Sequence, residues 1–164
     1  MSLDPSLSST GVAIFEGTKL IRLYTISPKT KGDARYEEIA LIFQKILLVE
    51  APDVLITENQ FVGRFAFVAL ILGRVRGIFE GLFYVSRESK GTVVNIVTSE
   101  GKATFGAWRR KSDKELLAGK IRAIYPNVKF KNQDEIDAVA VGVTGIKKFL
   151  GKETLTDIFK NLKN

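Results

Sequence analysis

Four carboxylates stand out by their places along the chain: Asp4, Glu58, Asp134 and Asp137. Asp4 follows the short segment Met1–Leu3 and precedes Pro5 and a serine-rich stretch. Glu58 closes the apolar run Val54–Thr57. Asp134 and Asp137 open a long amphipathic segment, and residues at i and i+3 share a helix face. Glu135 is off that face. An acid ending a buried strand is poorly solvated unless something pairs with it. Four acids converging from three elements would repel one another, which raises pKa values or demands a cation. Hard cations such as Mg²⁺ take oxygen ligands. Two of them, roughly 3.5–4 Å apart, can activate water and stabilise the leaving oxygen of a phosphodiester. The plainer alternative is that these acids are caps, loop residues and surface ion pairs. Acids in a first helical turn are favoured by the macrodipole in any case.

The residues that are absent narrow the chemistry. The 164 residues include no Cys and no His. Disulfides, zinc fingers, iron–sulfur clusters and thiol catalysis are excluded. So are Ser-His-Asp triads and nucleases with a histidine base. Hydrolysis must rest on carboxylates, lysine, tyrosine, hydroxyls or a metal held by oxygen. There are 25 Lys+Arg against 18 Asp+Glu, a net charge of +7, which favours a polyanionic partner. Most of the surplus lies between Ser99 and Lys131, with nine Lys/Arg and three Asp/Glu. That segment carries Lys102, Trp108, Arg109, Arg110, Lys111 and Lys114. Beside an acidic metal cluster, such cations hold phosphates while the acids hold metals. The alternative is a solvated basic face, with Trp108 either a core residue or a wedge for DNA.

The elements that must position these groups follow from the apolar pattern. Val12–Phe15 and Leu20–Ile26 flank Glu16-Gly17-Thr18 and predict a hairpin. Arg35–Val49 has helical spacing, at Ile39, Ile42, Phe43, Ile46 and Leu47. Ala51-Pro52-Asp53 breaks it before the strand Val54–Thr57. Phe61–Val85 is apolar on two faces, which predicts a helix buried on two sides. One face can pack on a sheet; the other needs a second layer or another subunit. Thr92–Val97 is a β-branched strand. Ser112-x-x-Glu115 matches a capping box opening a helix that runs to Tyr125. Gln133–Leu150 is the last long helix. The resulting order, with Met1–Leu3 as the first strand, predicts an α/β fold: a mixed sheet covered by helices.

These blocks resemble a known family. Asp4-Pro5-Ser6-Leu7-Ser8-Ser9-Thr10-Gly11 is similar to the Asp-Pro-Gly-x-x-x-Thr-Gly opening of RuvC-type Holliday junction resolvases. Glu58-Asn59-Gln60-Phe61 resembles their second acidic motif, and Leu72-Gly73-Arg74-Val75-Arg76-Gly77 their Leu-Gly-x-x-Arg-Gly helix. Lys102-Ala103-Thr104 with Lys114 resembles the family's Lys-x-Thr and later Lys. Asp134-x-x-Asp137-Ala138 resembles the final acidic pair. The likeness covers roughly residues 1–150 and departs at Ser6, where the family usually has Gly. Asp134 stands where some members have His, which makes the site all-oxygen and favours Mg²⁺ or Mn²⁺.

The resemblance implies an RNase H-like fold, a five-stranded mixed sheet with helices on both faces. It implies a homodimer with two sites cutting opposed strands of a four-way DNA junction, the second face of the Phe61–Val85 helix forming the two-fold seam near Val68, Ile71, Leu72 and Val75. Each site would hold two Mg²⁺, with Mn²⁺ able to substitute, on Asp4, Glu58, Asp134 and Asp137. Hydrolysis would leave 5′-phosphate and 3′-hydroxyl ends. Lys102 would join the catalytic group, and Phe61 would stack on a base near the junction centre. Arg64, Lys102, Thr104, Arg109, Arg110, Lys111 and Lys114 would contact DNA.

The competing readings are a broader nuclease of forks and flaps, a non-catalytic junction-binding protein, and a ribonuclease of RNA–DNA hybrids. The expected organisation is one nuclease domain over residues 1–151, with a short basic tail over 152–164. No leader is expected in the polar Met1–Ser9, and the stretch Phe65–Leu72 is too short to span a bilayer. A cytoplasmic location is expected, in a host cell if the source is viral.

Overall fold

The computed structural model describes residues 1–59, 66–108 and 113–150. Alternating side chains build its sheet. The strands are β1 (Ser2–Asp4), β2 (Thr10–Glu16), β3 (Lys19–Ile26), β4 (Val54–Glu58) and β5 (Thr92–Ile96). They form one five-stranded sheet in the order β3-β2-β1-β4-β5. The β3, β2 and β1 strands are antiparallel, and β1, β4 and β5 are parallel. Gly17, in the left-handed region at φ 56°, makes the β2–β3 turn.

The helices are α1 (Ala34–Glu50), α2 (Ala66–Ser86), α3 (Thr98–Phe105), α4 (Asp113–Ile124) and α5 (Gln133–Leu150). Period-two alternation sends neighbouring strand residues to opposite layers. Leu3, Val12, Ile14 and Leu55 pack with Ile39 and Phe43 of α1 and Val75, Phe79 and Phe83 of α2. Ala13, Ile56, Val94 and Ile96 pack with α4 and α5 on the other face. The ring of Phe43 meets Phe79 edge-on at 4.7 Å between centroids.

The expected elements are present, and α3 is an addition to them. The segment Thr98–Phe105 is mostly polar and carries one large apolar side chain, Phe105, so it has no amphipathic stripe. Glu100 starts it by accepting a hydrogen bond from the Val97 N–H at 2.8 Å. The predicted cap Ser112, the first turn of the predicted second helix and the basic tail lie outside the described residues. Among the described residues, no helix is long and apolar enough to cross a membrane.

Strand pairing places the first two acids. Ser2 and Leu3 pair in parallel with Ile56 and Thr57, and one further step of that register brings Asp4 level with Glu58. Both acids therefore stand at the C-terminal ends of adjacent parallel strands. On its other side Asp4 pairs with Gly11.

Candidate active site

The N-terminal turns of α5 meet the sheet where β1 and β4 end. The contact is close because Gly11 of β2 has no side chain. A Cβ there would overlap the backbone carbonyl of Asp134 and lie 3.1 Å from the Cβ of Ala138. Ser2 ties the same helix down, its hydroxyl donating to the Ala138 carbonyl at 2.7 Å. Asp137 is thereby carried to the strand ends.

Asp4, Glu58 and Asp137 line one cleft of about 330 Å³, together with Lys114 from α4 and apolar walls at Leu72 and Leu117. Glu58 is only 1 % exposed. Its Oε1 accepts hydrogen bonds from the Trp108 indole N–H at 3.2 Å and the Thr98 hydroxyl at 3.3 Å. Asp137 Oδ1 accepts from the Gln133 side-chain amide at 2.7 Å. Burial of an ionised carboxylate is costly without such partners.

Asp134 is half-buried on the same helix and accepts a hydrogen bond from the Ser9 hydroxyl. It is not part of the cleft lining. Glu135 is 1 % exposed and fastens the start of α5, accepting from the Lys131 N–H at 2.7 Å and the Thr25 hydroxyl at 3.3 Å. Its role is structural, as its face of the helix implies.

Arg76, within the Leu-Gly-x-x-Arg-Gly stretch, holds the frame behind Glu58. Its Nη1 donates to Asn59 Oδ1, its Nη2 to Asn95 Oδ1 and its Nε to Glu80 Oε1, each at 2.6 Å. The Asn59 N–H also donates to the Ile96 carbonyl at 2.7 Å. The planar guanidinium fork thus clamps the chain leaving β4 to β5 and α2.

The other expected site residues divide. Lys102 is exposed on α3 and does not line the cleft, so of the two family-like lysines the structure brings only Lys114 to the acids. Helix α3 buries Gly101 and Phe105, which leaves Lys102 on its exposed side. Thr104 donates its hydroxyl to the Glu100 carbonyl one turn back, at 2.8 Å. Phe61, Arg64, Arg109, Arg110 and Lys111 lie outside the described residues. Trp108 is a core residue, 5 % exposed, and not a surface wedge. The contacts of Ser9 with Asp134 and of Thr98 and Trp108 with Glu58 span at least 40 residues of sequence, and local spacing does not announce them.

The expected interface residues also separate. Val75 is fully buried in the core against α1, so it is removed from any surface seam. Leu72 lines the acidic cleft, Ile71 is half-buried and Val68 is 50 % exposed. The exposed apolar side chains of this part of α2 include Phe67 and Leu70.

The donor chemistry of the cleft fits a hard divalent cation, since three carboxylates and no nitrogen or sulfur ligand line it. Among the described residues, no three acidic side chains are gathered tightly enough to ligate one ion. The three carboxylates share one cleft, arriving from β1, β4 and α5.

A larger cavity of about 510 Å³ lies at the opposite end of the sheet, between Phe15, Ile21, Ile146 and Phe149. It contains none of the expected site residues.

A five-stranded mixed sheet covered on both faces, with acids at the ends of its central strands, defines the RNase H-like class of fold. Comparison with solved structures agrees. The chain matches Thermus thermophilus RuvC in complex with Holliday junction substrate at a TM-score of 0.73 and 19 % identity, covering 91 % of this chain and 93 % of that one. A second Thermus thermophilus RuvC structure matches at a TM-score of 0.67 and 18 % identity, covering 90 % and 93 %. In sequence, the chain is 30 % identical over 156 residues to the crossover junction endodeoxyribonuclease RuvC of Rickettsia bellii, covering 88 % of this chain and 94 % of that protein. It is 27 % identical over 156 residues to the corresponding protein of Methylorubrum populi, covering 88 % and 77 %. No family model matches. The chain belongs to the RuvC family of crossover junction endodeoxyribonucleases.

Proposed function

We propose that this protein is a divalent-metal-dependent endonuclease that resolves four-way DNA junctions by paired, symmetric nicks. The observation that carries this reading is the convergence of Asp4, Glu58 and Asp137 on one cleft that also receives Lys114. The name shared by its relatives, crossover junction endodeoxyribonuclease, supports the substrate class.

Asp4, Glu58 and Asp137 would hold the cation. Asp134 would complete the set by turning from Ser9, one helical turn before Asp137. Bound there, two Mg²⁺ ions, or Mn²⁺ in their place, would supply activation of water and neutralise charge on the leaving oxygen. The protein's own contribution is positional. The strands hold Asp4 and Glu58 in register, α5 delivers Asp137, and Leu72 and Leu117 form apolar walls beside them. Lys114 would meet the phosphate and offset the charge of the acids. The products would be 5′-phosphate and 3′-hydroxyl ends.

A four-way junction has two strands to cut, and a C2 dimer presents two equivalent sites. The exposed apolar side chains Phe67, Val68 and Leu70 of α2 give the second copy a surface to cover. Phe61 would then stack at the junction centre. Arg64, Arg109, Arg110 and Lys111 would hold the backbone, joined at the periphery by Lys102 and Thr104. We place this activity in the cytoplasm, or in that of a host cell if the source is viral.

The test is cleavage of a synthetic four-way junction beside a linear duplex, a fork and an RNA–DNA hybrid. Paired symmetric nicks confined to the junction support the reading. Equal cutting of forks would reassign the protein to general branched-DNA cleavage.

A further inference from the structure

The cleft contains one buried contact that the chemistry above does not use, between the indole of Trp108 and Glu58. An indole N–H is a donor only, and when buried it usually finds a partner. Backbone carbonyls are the commonest acceptors in an interior. Here the acceptor is a carboxylate oxygen at the cleft, Glu58 Oε1, at 3.2 Å. The Thr98 hydroxyl donates to the same oxygen at 3.3 Å. Two donors on one oxygen restrict the rotation of the carboxylate.

The ring is itself held in place. Gly101 of α3 lies against its face, where a Cβ would overlap the indole atoms. Phe105 stacks beside it with centroids 6.2 Å apart and planes 9° from parallel. The Trp108 backbone N–H donates to Asp113 Oδ2 at 3.1 Å. Helix α3 therefore serves the site through Thr98 at its start, Gly101 in its middle and Trp108 just past its end.

We propose that Trp108 is a positioning residue, whose indole N–H, together with the Thr98 hydroxyl, sets the orientation in which Glu58 receives the divalent cation. This rests on the reading of Glu58 as a cation ligand. Groups that hydrogen-bond to a metal ligand typically change metal affinity or activity by about 10–100-fold when removed. The protein also has a built-in reporter, because Trp108 is its one tryptophan.

The experiment uses the full chain without DNA. Mn²⁺ binding is measured by calorimetry, and Trp108 emission is followed while Mg²⁺ or Mn²⁺ is added. The expected result is a saturable emission change in the wild type that tracks the calorimetric isotherm and is lost in Glu58→Gln. Trp108→Phe keeps an aromatic ring in the core and deletes the donor. It should weaken Mn²⁺ binding about 10–100-fold, raise the Mg²⁺ concentration for half-maximal junction cleavage equally, and leave junction affinity unchanged. Thr98→Val should shift both in the same direction, with the indole still seated.

Wild-type Mn²⁺ affinity in a folded Trp108→Phe would overturn the proposal while leaving Glu58 as a ligand. If Trp108→Phe does not fold, the wild type decides: Mn²⁺ saturation without any emission change overturns the proposal. Wild-type Mn²⁺ binding by Glu58→Gln would instead overturn the reading of Glu58 itself.

Discussion

Gly11 of β2 lies directly against the backbone carbonyl of Asp134, with no room between them for a methyl group. That contact sets how deeply α5 settles on the sheet, and so where Asp137 sits relative to Asp4, the residue paired with Gly11. The small residue in the Thr-Gly motif is thus a geometric requirement of the acidic cleft.

Gly11→Ala should therefore be costly for packing and for the site. Forcing one methyl into a filled space typically costs about 1–3 kcal/mol, which is roughly 2–4 °C of melting temperature per kcal/mol in a domain of this size. Cleavage should fall further than the loss of folded protein explains, because α5 must shift outward. A melting temperature and cleavage rate equal to wild type would show that the contact is not rigid.

Arg76 makes a second prediction. Its three partners lie on α2, on β5 and just past β4, and a lysine cannot reproduce the planar fork. Arg76→Lys should lower stability by about 1–3 kcal/mol, the scale of losing charge-assisted hydrogen bonds. It should also slow cleavage, because Asn59 follows Glu58 directly. Thermal melts and cleavage assays on the same preparation check both. Full rescue by lysine would reduce Arg76 to a surface charge.

The two lysines should behave differently. Lys114 lines the cleft and Lys102 does not. Lys114→Ala should reduce junction cleavage and flatten the dependence of log affinity on log salt by about one unit of slope. Lys102→Ala should leave the cleavage rate of bound junction near wild type. Single-turnover cleavage under saturating protein separates them. A larger defect from Lys102→Ala than from Lys114→Ala would contradict this geometry.

Much of this arrangement is legible in the sequence, for physical reasons that differ by element. The β-branched run Val54–Thr57 ends at an acid, and the three-residue spacing of Asp134 and Asp137 puts both on one helix face, so the strand end and that shared face need no tertiary information; which of the two acids lines the cleft does, and it is Asp137. Helix α3 does, because its polar segment is held by Phe105 and Trp108 packing and by Lys148, which pairs with Glu100 at 3.0 Å. The assignment of Val75 to an interface fails for a related reason. Helix α2 has two apolar rows, and periodicity alone does not say which one the sheet covers. The contact of Trp108 with Glu58 spans 50 residues of sequence, and nothing local announces it.

Tyr125 provides a prediction in pH. Burial pushes its phenol up to about 12, and its hydroxyl donates to the Thr18 carbonyl at 3.2 Å. The neutral form is favoured in the folded state, while an unfolded tyrosine ionises near pH 10. The stabilisation is therefore fully present below about pH 10 and is lost as pH rises toward about 12. Tyr125→Phe should remove this alkaline loss, leaving a flatter melting profile between pH 9 and roughly 11.5. Identical alkaline slopes in the two proteins would mean that the phenol is open to water in solution.

The most direct test of the central claim is cleavage of a labelled four-way junction with Mg²⁺ or with EDTA, comparing wild type with Asp4→Asn, Glu58→Gln and Asp137→Asn. The account predicts paired nicks by the wild type in Mg²⁺ alone, and no cleavage by any of the three variants, each still folded and still binding the junction. Cleavage that survives EDTA, or that persists in any one of these variants at the wild-type rate, would contradict it.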